Sequence, residues 1–497
     1  MRYIVYLFLT LTLLIASVYI VLFTPVGHGI IKDKITSNIK THTALDAKVE
    51  KFSLSPSIID ISIVLPQNNT IIINGTYSIF SKGIDLNYRL NFNDISIFSN
   101  LSKQNLKGKL NTQGRVFGNI ENINIKGQSD LAKSDTKYNF ILSQNKKSYG
   151  KLEIKDALLS EILYMTGQNN YAKGDINIDI DLDDVKSGEI LGKALLKIDN
   201  GIVNKKLVKK DFDIDLPETE FISVIDANIK KIVDFNMLLD SSIANINSKG
   251  TFDQGTQKLV SKYQVKIDDL LYLQPLTKHP LRGEISANGD IVKSEKLEAS
   301  FNSKIFGGTI DTTLDDSLLI GKLSNIDTMK LMYMLHYPEI YKGKINGKVD
   351  TDIKSDKLDF YFDLKNGHFV SNQFTSLISQ FLKIDITNEK FSYAVLEGIK
   401  TKENIDAKLE MRSLKMKILS KKFNMDTKNN LIDAVLFVEL GKYKFDVNIK
   451  GDINSPKVTS DIAKKVIKDK AKSKIEERLG DKLDENTKSI INKIFKF

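Results

Sequence analysis

The residue types that most often perform chemistry are scattered in this chain. No spacing typical of a metal-binding pair or a catalytic triad occurs among its five histidines, His28, His42, His279, His336 and His368. The chain also lacks HExxH, P-loop, GxGxxG and GxSxG motifs. Cysteine is absent, which excludes disulfides, thiolate metal sites and cysteine nucleophiles. We therefore predict a protein that is not an enzyme and that holds neither a metal nor a cofactor.

A run of aspartates at positions 179, 181, 183 and 184 is the closest approach to a cation site. Carboxylates at such spacing could bind Ca²⁺. The run, however, alternates with aliphatic residues, and this pattern favours a solvated polar face of a β-strand. The opposite, apolar face of the same strand carries Ile176, Ile178, Ile180 and Leu182.

The same alternation dominates the chain from Lys48 onward. A second clear example places Leu358, Phe360, Phe362 and Leu364 on one face. We predict about 25 to 40 antiparallel strands, too many for one flat sheet. The expected fold is mainly β, an elongated, curved sheet with a few short helices, and these eight apolar residues are the candidate lining of its groove. A filled β-sandwich core fits the alternation equally well.

A recurring unit also indicates an array of similar modules. Four times an Asp begins a short helical segment that leads to a basic residue, a Gly and a new strand. The four pairs are Asp94 with Gly108, Asp156 with Gly174, Asp269 with Gly283, and Asp327 with Gly343. Helical spacing predicts further helices at residues 26–41 and 374–382.

The beginning of the chain has the composition of a membrane anchor. Residues 3–23 contain no charge, and a helix of that length measures about 30 Å, enough to cross a bilayer core. A cleaved signal peptide is the alternative, but the apolar run is long for one and no A-x-A-like site follows it. We predict an uncleaved anchor at residues 1–24, a repetitive β-rich body at residues 25–456 and a basic helical tail at residues 457–497.

The tail carries twelve Lys and Arg against seven Asp and Glu. Its predicted amphipathic helix has an apolar stripe that includes Ile462 and Val466. The candidates for contact with anionic lipid are Lys464, Lys465, Lys468, Lys472 and Lys474. Folding back onto the last strands as a cap is the alternative. Nucleic acid is not an expected partner, because no groove of basic and aromatic residues is present.

Three stretches together resemble the AsmA-like family of Gram-negative envelope proteins. They are the sequence AKVEKFSLSP at positions 47–56, the strand start LRGEISANG at 281–289, and VNIKGDINSPKV at 447–458 with its Gly-x-Ile-x-x-Pro motif. The resemblance implies a single-pass inner-membrane anchor, a periplasmic body and a long U-shaped β-groove with a hydrophobic interior. It also implies phospholipid transport between inner and outer membranes or maintenance of the outer membrane. The alternative is a structural or chaperone-like factor that assembles outer-membrane proteins and binds other envelope proteins.

Overall fold

The computed structural model describes residues 28–54, 57–78, 80–144, 146–184, 190–277 and 279–479. Within these residues the chain is mainly β, with antiparallel strands and a few short helices, which confirms that part of the predicted fold. The 28 described strands fall within the predicted range. The chain divides into two compact units, Met1–Ser261 and Lys262–Phe497.

The first unit is a meander in which each strand from β1 to β13 pairs antiparallel with the next. Strand β14, Lys258–Ile267, crosses the boundary between the units. The strands are β1 (Lys48–Leu54), β2 (Ile58–Leu65), β3 (Asn69–Ser78), β4 (Gly83–Phe92), β5 (Leu110–Asn119), β6 (Asn122–Ser129), β7 (Asp135–Ser143), β8 (Tyr149–Leu158), β9 (Ala172–Asp184), β10 (Leu191–Val203), β11 (Glu220–Ile229), β12 (Ile232–Ser241) and β13 (Asn245–Asp253).

The helices of the first unit are α1 (His28–Thr43), α2 (Ser99–Ser102), α3 (Leu159–Met165) and α4 (Lys205–Phe212). Helices α2, α3 and α4 follow β4, β8 and β10. In an antiparallel meander, successive connections lie at alternate ends of the strands. The connections after even-numbered strands therefore lie at the same end, and these three helices are found there. Helix α1 confirms the helix predicted at residues 26–41.

The core of the first unit covers the inner face of β2 to β9, the face that carries Ile63, Leu90 and Ile178. These three side chains are at most 2% exposed and belong to one continuous apolar cluster. Helix α1 contributes Ile35 and Ile39 to the same cluster. The alternation read from the sequence therefore corresponds, in this stretch, to a filled interior, which we call the closed face.

The second unit is a similar meander. Its strands are β15 (Ile285–Lys293), β16 (Leu297–Ile305), β17 (Gly308–Asp315), β18 (Leu318–Asp327), β19 (Tyr341–Lys342), β20 (Lys344–Asp352), β21 (Lys357–Asp363), β22 (His368–Phe369), β23 (Tyr393–Thr401), β24 (Asn404–Arg412), β25 (Met416–Asp426), β26 (Leu431–Leu440), β27 (Tyr443–Asp452) and β28 (Lys457–Ser460). Strands β19 and β22 form a separate two-stranded sheet. The others pair antiparallel in chain order.

The helices of the second unit are α5 (Gln274–Thr277), α6 (Thr328–Met334), α7 (Gln373–Leu382) and α8 (Ile462–Leu479). Helix α7 confirms the helix predicted at residues 374–382. Its Ile378 packs with Ile462 of α8 and with Val438 and Phe445 of the sheet, all at most 1% exposed. The inner face of β23 to β27 is therefore covered by these two helices.

Three copies of the predicted repeat share one hydrogen-bonding arrangement. The Asp side chain accepts a backbone N–H of the following turn, at Ser96, Leu271 and Met329 respectively. The N–H of the residue after each Asp donates to the carbonyl of the repeat glycine, at 2.8 Å for Gly108, 2.8 Å for Gly283 and 3.2 Å for Gly343. Each glycine thus closes the helical segment that its Asp begins.

The remaining copy, Asp156 with Gly174, is different, and its predicted helix start is wrong. Asp156 has φ +57° and caps no helix; α3 begins three residues later, with Leu158 in the capping position. The end of α3 nevertheless contacts the preceding copy, because Lys107 N–H donates to Met165 O at 3.0 Å. In the second unit Arg282 N–H makes the matching bond to Met334 O at 2.9 Å. Each unit therefore holds two helical segments joined across four strands.

No described helix combines the length and apolarity that are needed to cross a bilayer. The predicted anchor, residues 3–23, lies outside the described residues.

Candidate functional site

The candidate site is the part of the second unit's inner face that no helix or facing strand covers among the residues that the structure describes. It extends over β15 to β18 and the neighbouring strands β20 and β21, and we call it the open face. On β21 the predicted lining residues Leu358, Phe360 and Phe362 lie on this face and are half-buried. Leu364 follows them, is also half-buried and packs against the cluster that α7 and α8 cover. The structure thus brings these four predicted residues together.

Glycines on the neighbouring strands leave the space in which the two phenylalanine rings lie. Phe362 pairs with Gly347 on β20, and Phe360 pairs with Gly398 on β23. A Cβ atom at Gly347 would collide with the Phe362 ring, and one at Gly398 would lie 2.8 Å from Cζ of Phe360. The two rings stack with centroids 5.3 Å apart. Because the rings lie across the sheet rather than projecting from it, they line the open face without filling it.

The open face continues over β15 to β18 with large apolar and small side chains interspersed. The half-buried apolar residues are Phe301, Ile310, Leu314, Leu319 and Leu323. Between them lie buried small residues such as Ala287, Ser303 and Gly321. The Ser303 hydroxyl donates to the Ser286 carbonyl at 2.7 Å, so the face exposes little polarity there.

Within the described part of the chain, the first unit has a shorter uncovered stretch on β11 to β13 that sequence reasoning did not single out. Phe235, Met237 and Leu239 alternate on β12 and are half-buried. Met237 pairs with Ser248, whose hydroxyl lies 2.5 Å from that of Ser261. The signal that could have found it is the same period of two within residues 233–239. We call it the first-unit open face.

The other four predicted lining residues have a different environment. Ile176, Ile178, Ile180 and Leu182 share one face of β9, as predicted, but they are only 1–6% exposed. They belong to the cluster of the closed face. An acyl chain would reach them only if the packed side chains above them moved, and their role in lipid contact stays a prediction.

The closed face also contains a chain of hydroxyl groups that the sequence did not reveal. The hydroxyl of Tyr138 lies 2.5 Å from that of Tyr88 and 2.5 Å from that of Thr112. Thr112 in turn donates to the Gln128 carbonyl at 2.9 Å. Burial raises the pKa of both tyrosines, so they remain neutral at physiological pH and serve as hydrogen-bonding core residues.

Two of the five histidines, expected to be isolated, meet in the second unit. The rings of His279 and His336 are 6.3 Å apart, and His279 Nε2 lies 2.6 Å from the Leu335 carbonyl. Burial, with the positive charge of Arg282 nearby, lowers the pKa of His336. No cluster of three or more potential metal ligands occurs among the described residues. The aspartates at 179, 181 and 183 lie on the exposed face of β9.

The predicted membrane-surface lysines all lie on α8. Ile462 and Val466, which begin this helix's predicted apolar stripe, are buried in the sheet core. Lys465 pairs with Asp461 at 2.9 Å, while Lys464 and Lys474 are exposed. The side chains of Lys468 and Lys472 are outside the described set. The first turns of the tail thus pack on the sheet, as the cap alternative expects, and its contact with lipid stays a prediction.

The C-terminal motif behind the family resemblance forms the last strands of the second unit. Asn430 donates to the Asp452 carboxylate at 3.0 Å, and β28 follows directly after Pro456. A comparison with protein-family models and with curated proteins finds no match for this chain. The resemblance to the AsmA-like family therefore rests on the three stretches of sequence in which it was recognised.

Proposed function

We propose that this protein is a non-enzymatic carrier of phospholipid whose acyl chains bind along the open face and along the first-unit open face. The observation that carries the proposal is an inner face that alternates like the closed face yet leaves Phe360, Phe362 and Leu358 only partly buried. Removal of apolar groups from water is favourable by about 0.8 kcal/mol per CH₂. An acyl chain bound against these side chains would remove their apolar surface from water, and part of its own surface would also leave water.

The cellular role that we propose follows from the family resemblance. The apolar residues 3–23 would anchor the chain in the inner membrane, and the β-rich body would lie in the periplasm. A face that shelters acyl chains would lower the barrier for phospholipid to leave one membrane for the other. Phospholipid and the inner membrane are then the expected partners, and maintenance of the outer membrane is the expected outcome.

The alternative role in assembling outer-membrane proteins needs a free strand edge for client pairing. At the end of the second unit, β28 covers only Val447–Lys450 of β27. Beyond it the Asp446 N–H donates to Asp461 at 2.9 Å, and the Asp446 carbonyl accepts from Ser460 at 2.6 Å. Side chains thus cap the part of β27 that β28 leaves unpaired, and the edge strand β28 is itself only four residues long, which favours the lipid proposal.

Site-specific photo-crosslinking tests the proposal directly. We expect a benzophenone amino acid at Phe362 or Met237 to form adducts with phospholipid in cells. The same probe at Ile178, which is 2% exposed on the closed face, is the matched control and should form few adducts. Mass spectrometry of the adducts identifies the cargo. Absence of lipid adducts at Phe362 and Met237, or equal yield at Ile178, would overturn the proposal.

A further inference from the structure

Two turns and one connecting segment meet at an edge of the second unit. The turn after β24 contains residues 413–415, and the turn after β26 contains residues 441–442. They are joined directly, because Gly441 N–H donates to the Lys415 carbonyl at 3.1 Å. Glu389, from the segment after α7, accepts the Lys415 N–H at 3.2 Å. With Ile384 these turns surround a cavity of about 850 Å³, and we call this surface the turn rim.

The turn rim exposes apolar side chains at its tip. Leu414 is 101% exposed, so it contacts almost nothing of its own fold. Ile384, on the same cavity, is 36% exposed. Full burial of a leucine is worth about 1.5 to 3 kcal/mol, and Leu414 gains none of it within this chain. The tip is therefore suited to insertion into an apolar phase outside the protein.

Cations surround this apolar tip. The cavity is lined by one carboxylate, Glu439, and by five basic side chains, Arg412, Lys415, Lys417, Lys442 and Lys444. Glu439 pairs with Lys444 at 2.5 Å, and Arg412 bonds Glu410 at 2.6 Å. Lys415 and Lys442, one on each turn, make no ion pair within the described residues. The excess positive charge thus lies beside Leu414.

We propose that the turn rim docks the second unit on the surface of an anionic bilayer. Leu414 would enter the headgroup boundary, and Lys415 and Lys442 would contact anionic headgroups, each contributing about 1 kcal/mol near the surface. A protein partner would require a larger apolar contact than one exposed leucine and its neighbour provide. The inference goes beyond lipid carriage and uses no residue of the open face.

The absence of cysteine makes an environment-sensitive label straightforward. Full-length protein held in nanodiscs of neutral lipid would carry Leu414→Cys labelled with the fluorophore NBD. Vesicles of phosphatidylcholine, with or without phosphatidylglycerol, are then added. We expect a blue shift and a gain in intensity only with the anionic vesicles, reversed by high salt. The matched label at Phe80→Cys, a 102% exposed residue of the first unit, should not respond.

Charge variants complete the test. Lys415→Gln with Lys442→Gln should weaken vesicle binding by about 30-fold, because two contributions of about 1 kcal/mol are lost. Lys402→Gln with Lys428→Gln removes the same charge from turns at the opposite ends of these strands and should leave binding unchanged. The proposal would be overturned if the fluorescence of the label at Leu414 did not change with anionic vesicles. It would also be overturned if neutral vesicles gave an equal change, or if the label at Phe80 responded equally. Equal weakening by the two charge pairs would do so as well.

Discussion

The closed face and the open face have the same alternating sequence pattern but different packing. On the closed face, neighbouring strands place Ile63, Ile71 and Leu90 side by side, and all three are at most 1% exposed. On the open face the corresponding positions of neighbouring strands include Thr312 and Gly321. A period of two therefore identifies which face is apolar, while the size of the side chains decides whether that face is filled.

Small residues explain why the open face does not close on itself. A sheet that alternates Phe or Leu with Ser, Ala and Gly carries too little side-chain volume to fill a core at native density. Its serine hydroxyls bond to backbone carbonyls, as Ser303 does with Ser286, so the face stays apolar without being covered. One substitution on each face measures this difference in packing. Further substitutions measure smaller effects of a glycine, an Asp cap and a buried histidine.

The largest expected effect comes from truncating one residue on each face. Ile180→Ala on the closed face should destabilise the first unit by about 2 to 5 kcal/mol, since it leaves a cavity beneath a 1% exposed side chain. Leu358→Ala on the open face should cost about 1 kcal/mol, because that side chain is only partly buried in the folded chain. Hydrogen exchange of β8 to β9 and of β20 to β21 measures the two effects separately. Equal losses would mean that the open face is covered in solution.

A glycine substitution tests whether the aromatic rings must lie flat. Gly347→Ala should cost about 1 to 3 kcal/mol, because its Cβ would collide with the Phe362 ring. Gly321→Ala, on the adjacent strand, is the control: its nearest neighbour lies 3.7 Å away and little change is expected. Urea unfolding gives both values. Adding Phe362→Ala should recover part of the Gly347→Ala loss, and no recovery would contradict the flat-ring geometry.

The sequence predicted the strands, the shared faces and most of the repeat, because periodicity and Asp or Gly at segment ends act locally. It did not distinguish Ile178 from Phe362, since burial depends on the size of the side chains that the paired strands place beside each residue, and one strand alone does not show that pairing. The meeting of His279 and His336 was missed for the same reason, as 57 residues separate them. The helix expected to start at Asp156 failed because that residue has φ +57° and cannot cap.

Substitution of a capping Asp in the repeat should lower the free energy of unfolding by a smaller amount. Asp327→Ala should destabilise the second unit by about 1 kcal/mol, since its carboxylate accepts the N–H groups of Met329 and Lys330. Asp156→Gly in the first unit is the contrast, and should change stability by less than about 0.5 kcal/mol because Gly favours a positive φ. Urea unfolding of the two variants checks the difference. A larger loss at Asp156 would contradict the assignment of the caps.

The smallest effect should be a pH dependence of the second unit that comes from His336. Burial beside Arg282 and His279 lowers the pKa of His336 in the folded chain, so the unfolded chain protonates this side chain first. Stability is therefore complete above the ordinary histidine pKa of about 6.5 and falls as the pH drops below it. His336→Asn suits the residue's φ of +56° and should flatten this decline in urea midpoints. His42→Asn on α1, in the first unit, should leave the decline intact, and an unchanged slope in His336→Asn would assign the acid sensitivity to other groups.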